Sequence, residues 1–125
     1  MNRSKHSRHT NAFILLFLEK SAFAYGAQIL SSLQTELPYC LADSPSVYRA
    51  LQEMEVKHWV QSSWKTSEKG PPRKWYTITP RGQNALRDYA KDIAQRHANF
   101  EFFLRHYTLI NNNNYKSERS PQSES

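Results

Sequence analysis

Arg73-Lys74-Trp75-Tyr76-Thr77-Ile78-Thr79-Pro80 carries two structural signals in one short stretch. Aromatic and β-branched residues in succession favour a strand, and alternation sends Tyr76 and Ile78 to one face and Trp75 and Thr77 to the other. Thr79-Pro80 then has the chemistry of a helix start: a side-chain oxygen to accept an orphan amide, followed by a proline whose missing donor is harmless. A second β-like run, Trp59 to Trp64, lies upstream, and Lys65-Thr66-Ser67-Glu68-Lys69-Gly70-Pro71-Pro72 joins the two. Together they predict a hairpin with a long basic tip.

Working back toward the N-terminus, Asp43-Ser44-Pro45 repeats the cap-then-proline signal and opens a helix. Val47, Ala50, Leu51 and Met54 fall on one face of it, leaving Ser46, Arg49 and Glu53 on the other. Before it, Tyr25, Ile29, Leu30 and Leu33 follow helical spacing to about Glu36, where Pro38 ends the element. The run Ala12-Phe13-Ile14-Leu15-Leu16-Phe17-Leu18, capped by Thr10 or Asn11, is apolar all round and must be enclosed by other elements. Downstream of Pro80, Leu86, Tyr89, Ile93, His97, Phe100, Leu104 and Tyr107 recur at three- or four-residue steps. A helix from Pro80 to about Thr108 would be on the order of 40 Å long, so its far half needs a partner.

The expected order is thus three helices, a hairpin and a long helix, mainly α with a small β-hairpin. It divides into a flexible basic arm (1–9), a folded domain (10–79), a long helix (80–108) and a polar, disordered tail (109–125). One domain suits 125 residues. The arm holds Arg3, Lys5 and Arg8 with no acid before Glu19, and the span from Lys65 to Lys74 holds four cations against Glu68. A net charge of +6 and a pI near 9.6 point to an anionic partner.

The mean hydropathy is −0.79, and the longest apolar run is too short to cross a bilayer. That run follows a basic stretch, as a secretory signal would, but it ends in Glu19-Lys20 without a small-residue cleavage pattern, so it is read as part of the fold. Cys40, the only cysteine, permits no internal disulfide and no cysteine-based zinc cage, and cytoplasm is the expected compartment. No Ser-His-Asp grouping, paired carboxylates, glycine-rich phosphate loop or HExxH motif is apparent, so an enzyme is not expected. His6 and His9, three residues apart, have no carboxylate or cysteine beside them, and no metal or other cofactor is expected.

Ser44-Pro45-Ser46-Val47-Tyr48-Arg49-Ala50-Leu51 and Arg73-Lys74-Trp75-Tyr76-Thr77-Ile78-Thr79-Pro80-Arg81-Gly82 resemble, in order and spacing, the PadR family of bacterial transcriptional regulators. Tyr25-Gly26-Ala27-Gln28-Ile29-Leu30 is a weaker echo of the family's second helix. The resemblance covers about Phe13 to Ala90 and implies a winged helix-turn-helix in which the third helix is the recognition helix, the hairpin is the wing and the last helix dimerises. It further implies a homodimeric repressor of double-stranded DNA, with a small aromatic effector as an option in one branch of the family. The chain departs from the family where Lys57-His58-Trp59 replaces a glycine after the recognition helix, which would put His58 in a left-handed conformation. Ala27 stands where an aromatic is common.

On this reading Ser44, Ser46, Tyr48, Arg49, Lys65, Lys69, Arg73 and Lys74 are the candidate DNA contacts. Each has a plainer role beside it. Arg49 reaches a base edge or phosphate, or pairs with Glu53. Ser44 and Ser46 hold a phosphate at the helix N-terminus, or serve the cap. Tyr48 bonds a phosphate or packs, and the basic hairpin tip follows the backbone or is simply solvated. Trp59, Trp64 and Trp75 stack on bases or, better supported, pack across the hairpin. Leu86, Tyr89, Ile93, His97, Phe100, Leu104 and Tyr107 form the expected dimer seam, and Tyr89, Phe100, Phe102, Phe103 and Tyr107 supply rings for an effector or for helix packing. The rival reading is a winged-helix protein-interaction adaptor or anti-repressor, to which Glu53 and Glu55 are suited.

Overall fold

The computed structural model describes residues 9–40, 42–66 and 70–119, with side chains to 113. Lys69 and nearly all of the basic arm lie outside the described residues. Helices α1 (Thr10–Ser21), α2 (Gly26–Glu36), α3 (Ser44–Val56) and α4 (Pro80–Arg119) alternate with strands β1 (Ala24–Tyr25), β2 (Val60–Lys65) and β3 (Arg73–Ile78). The chain divides into two units, Met1–Ala90 and Lys91–Ser125.

In the first unit, α1 is the central pillar. Ile14, Leu15 and Leu18 are fully buried against Ile29 and Leu33 of α2, Val47, Leu51 and Met54 of α3, and Val60 and Tyr76 of the sheet. Leu16 remains exposed and Phe13 half-buried, so the enclosure expected for this all-apolar helix leaves one strip open. Neither Thr10 nor Asn11 caps α1; His9 occupies the cap position, and its side chain does not cap the helix. The helix closes at Ala22, whose positive φ of 72° turns the chain into β1 while its amide donates to the Leu18 carbonyl at 2.9 Å.

The expected hairpin is present, with β2 and β3 antiparallel from Val60↔Ile78 to Lys65↔Arg73. The sheet also has a third strand: β1 pairs Ala24↔Tyr76 and Tyr25↔Trp75, which makes β3 central in the order β1-β3-β2. Tyr25, expected in the second helix, therefore lies in a strand. A strand of two residues is too short to show any period. Tyr76 is buried and Trp75 half-buried, on the two faces that alternation assigned to them.

Two junctions fix the hairpin against α3 and α4. At the end of α3, His58 adopts φ 65°, its amide donates to the Glu55 carbonyl (3.0 Å), and that of Trp59 donates to the Met54 carbonyl (2.9 Å). This is a Schellman closure with histidine where glycine is usual. At the start of α4, the Thr79 hydroxyl accepts from the Gly82 amide at 3.0 Å and donates to the His58 carbonyl at 2.6 Å. The Thr79 amide donates to the Trp59 carbonyl at 3.0 Å. One threonine thus ties the end of α3, the entry to β2 and the first turn of α4 together.

The second unit is helical to Arg119. The expected end near Thr108 is corrected by eleven residues, because Asn111 to Asn114 are only mildly unfavourable in a helix and no proline intervenes before Pro121. Leu86 and Tyr89, placed in the dimer seam from sequence, belong to the first unit and pack against its core. Ile93 is half-buried, and beyond it the seam is open: Phe100 is 62% and Leu104 61% exposed, and His97 and Tyr107 are exposed with them. Helical spacing sets Ile93, His97, Phe100, Leu104 and Tyr107 within roughly a quarter-turn of one another. Among the described residues no helix is long and apolar enough to cross a membrane.

Candidate nucleic-acid interface

α3 begins where Asp43 turns extended (φ −118°, ψ 176°) and its Oδ1 accepts the Ser46 amide at 2.9 Å. Asp43 is therefore the cap, and Ser44 is the first helical residue, exposed ahead of Pro45. Hydrogen bonds from Ser46, helped by the charge of Arg49, hold the Asp43 carboxyl below its ordinary range. Burial of Val47, Ala50, Leu51 and Met54 fixes the rotation of the helix. Tyr48, Arg49 and Gln52 are thereby turned outward. The alternative Arg49–Glu53 pair is not among the ion pairs of the described residues.

Those three side chains form one wall of an open cleft of about 730 Å³, and Trp64, Arg73 and Lys74 of the hairpin form the other. Gly26 and Ala27, at the N-terminus of α2, close one end. Tyr48, 43% exposed, lies against Gly26. A Cβ on Gly26 would stand 2.8 Å from the Tyr48 Cζ and 2.9 Å from its hydroxyl oxygen. The missing side chain is what lets the ring sit there. Gly26→Ala is expected to keep the fold, with stability changed by about 1 kcal/mol or less, because a half-exposed ring can swing aside. Amide shifts of residues 26–28 in a heteronuclear NMR spectrum should change as the ring leaves; unchanged shifts would count against this seating.

The cations of the hairpin differ in how they are held. Arg73 stacks on Tyr25, its Cζ 4.3 Å from the ring centroid, and Lys65 stands 5.9 Å from the Phe23 centroid. Phe23 and Tyr25 meet Trp75 edge-on at 5.2 and 4.9 Å, adding ring contacts on the outer face to the pairing of β1 with β3. Lys74 pairs with Glu55 at 3.4 Å. Trp75 is thus a packing residue, and Trp59 packs edge-on against Tyr89 at 6.1 Å, whereas Trp64 stays exposed in the cleft. Burial holds the Tyr76 hydroxyl above its ordinary pKa, so the inner sheet face contributes an uncharged phenol.

The structure brings Tyr48, Arg49, Arg73 and Lys74 to one cleft; Lys65 lies toward the outer face, and Ser44 and Ser46 lie at the start of α3. Sequence reading missed Gln52 and Gly26, and for Trp64 it favoured packing across the hairpin over the open position in the cleft. Gln52 follows Tyr48 by four residues and Arg49 by three, so helical spacing would have found it. Nothing in the sequence marks Trp64 as open or Gly26 as a seat. No group of three metal-ligating side chains occurs among the described residues, and His6 lies outside them.

A family model described as Transcriptional regulator PadR-like family matches residues 14–88, more than half of the chain. The chain belongs to the PadR-like family. This PadR-like protein is similar in fold to a PadR family transcription regulator from Clostridium difficile, with 24% identity, a TM-score of 0.67, and coverage of 77% of this chain and 98% of that one. A PadR-like regulator from Bacillus cereus is 21% identical, with a TM-score of 0.68 over 83% of this chain and 97% of that one. Bacillus subtilis PadR in complex with operator DNA is 22% identical, with a TM-score of 0.60 over 67% of this chain and 48% of that one. At these identities the likeness establishes the winged-helix fold. No curated protein matches the chain. The family match takes in α3, the hairpin and the first turns of α4, so the cleft of this PadR-like regulator lies wholly inside it.

Proposed function

We propose that this PadR-like protein is a cytoplasmic, sequence-specific regulator of transcription that binds double-stranded DNA as a homodimer and represses by occupying a promoter. The observation that carries the reading is the cleft, where the exposed face of α3 stands beside the hairpin with Tyr48, Arg49 and Arg73 directed to one space. α3 presents Arg49 and Gln52 to base edges in the major groove, and Arg73 and the Tyr48 hydroxyl take the phosphates beside it. Ser44, Ser46 and Lys65 serve the flanking backbone, and Lys69 extends the basic tip. Two copies related by a two-fold axis read half-sites about 34 to 36 Å apart.

The protein-interaction rival rested on Glu53 and Glu55 beside this face, and Glu55 is engaged with Ser62 and Lys74 instead. Duplex binding measured across a salt series tests the proposal. The wild type should bind random duplex with steep salt dependence, because each phosphate neutralised contributes about 0.9 to the slope of log K against log salt. Replacing both Arg49 and Arg73 with alanine should flatten that slope by about 0.9, for the phosphate held by Arg73, and should weaken specific binding further by about 1–3 kcal/mol for the base contact of Arg49. An unchanged slope and affinity in the double variant would place the contact surface elsewhere. A footprint lacking an inverted repeat would remove the two-fold arrangement.

A further inference from the structure

Of the three cations that line the cleft, Lys74 alone is held by a carboxylate. Glu55 sits in the last turn of α3, and its two oxygens reach different strands: Oε2 accepts the Ser62 hydroxyl at 2.5 Å, and Oε1 pairs with the Lys74 ammonium at 3.4 Å. Arg49 makes no ion pair among the described residues, and Arg73 rests on an aromatic ring. The Glu55 and Lys74 side chains are 36% and 34% exposed, so the pair is open to an incoming anion without being fully solvated. The Lys74 ammonium also stands 5.6 Å from the Tyr76 ring centroid, which favours the side chain lying back along the sheet.

We infer that Glu55 is a restraining residue that occupies Lys74 with an internal carboxylate in the place a DNA phosphate would take, and so lowers affinity for the phosphodiester backbone of any duplex. The inference rests on the DNA-binding reading above. The physics is competition: a phosphate entering the cleft must displace a carboxylate already tethered by Ser62, and it meets the repulsion of Glu55 as it does so. Backbone contacts add affinity without adding sequence information, so withholding one cation from the backbone raises the share of binding that depends on base contacts. The same carboxylate joins α3 to the hairpin, so it also keeps the cleft at its width.

Glu55→Gln removes the charge and keeps an oxygen for the Ser62 hydroxyl. Its affinity for random duplex should rise about tenfold at low salt, and its salt slope should steepen by about 0.9, one phosphate more than the wild type. In a Lys74→Ala background the same substitution should leave the slope unchanged and raise affinity much less than tenfold, since only the repulsion of Glu55 is then removed. Glu53→Gln, also in the second half of α3, measures the effect of removing any nearby negative charge. A steeper slope or a full tenfold gain from Glu55→Gln that persists without Lys74, or one that Glu53→Gln matches, would overturn the inference while leaving the DNA reading standing. A wild type with no affinity for any duplex would overturn both.

Discussion

Gly82→Ala should lower the stability of the folded domain by about 3 kcal/mol, although glycine to alanine inside a helix ordinarily stabilises by roughly 1 kcal/mol. The reversal comes from what faces the position. A Cβ at residue 82 would run into the Trp59 carbonyl oxygen, 2.7 Å from Ile78 Cγ1 and 3.0 Å from the Trp59 carbonyl carbon. That carbonyl accepts from the Thr79 amide and lies within 3.0 Å of the Thr79 hydroxyl, so it cannot retreat without breaking the junction that joins α3, the hairpin and α4. Overpacking against backbone has no flexible side chain to absorb it. For a domain of this size each kcal/mol shifts Tm by about 4–8 °C, so thermal unfolding should fall by ~12 °C or more. A Tm equal to or above the wild type would show that the close approach is not a real constraint.

Replacing both Phe100 and Leu104 with glutamate should convert the proposed dimer to a monomer while leaving the first unit folded. Both side chains are more than half exposed in the isolated chain and share one face of the second unit with His97 and Tyr107. Burying a Phe or Leu contributes roughly 1.5–3 kcal/mol, so losing two in each of two copies should weaken association by ~6 kcal/mol or more. That is about four orders of magnitude in dissociation constant. Light scattering after gel filtration should give twice the chain mass for the wild type and the chain mass for the variant. A wild type already monomeric at micromolar concentration, or a variant still dimeric, would remove this seam from the interface. Because Leu86 and Tyr89 are packed against the first unit's own core, substituting them should cost stability, and they are poor probes of association.

The parts of the fold that were legible in the sequence are those governed by neighbours in the chain. Asp43-Ser44-Pro45 and Thr79-Pro80 announced two helix starts through local hydrogen-bond chemistry, and both caps formed. Spacing of Val47, Ala50, Leu51 and Met54 gave the buried face of α3, and hence its exposed one. His58 was expected in a left-handed conformation because the resemblance puts a glycine at this point, and it adopts φ 65°. The candidate site was half legible for the same reason: helical and strand periods place Arg49 and Arg73 outward.

What the sequence alone determined about this protein is its set of elements, their faces and its membership of the PadR-like family, all of which follow from local propensity, periodicity and motif order. What only the tertiary structure decided is which groups meet. β1 exists because β3 offers an edge to a two-residue segment, a pairing between residues some fifty positions apart that no local pattern encodes. Lys74 reads as a free cation in the chain and becomes a bound one in the fold, because the end of α3 brings Glu55 to it. Gly82 reads as an incidental helix residue until the Trp59 carbonyl is laid against it. Contact across the chain depends on how elements pack, and packing is settled by the shared core of α1, α2, α3 and the sheet rather than by any one segment.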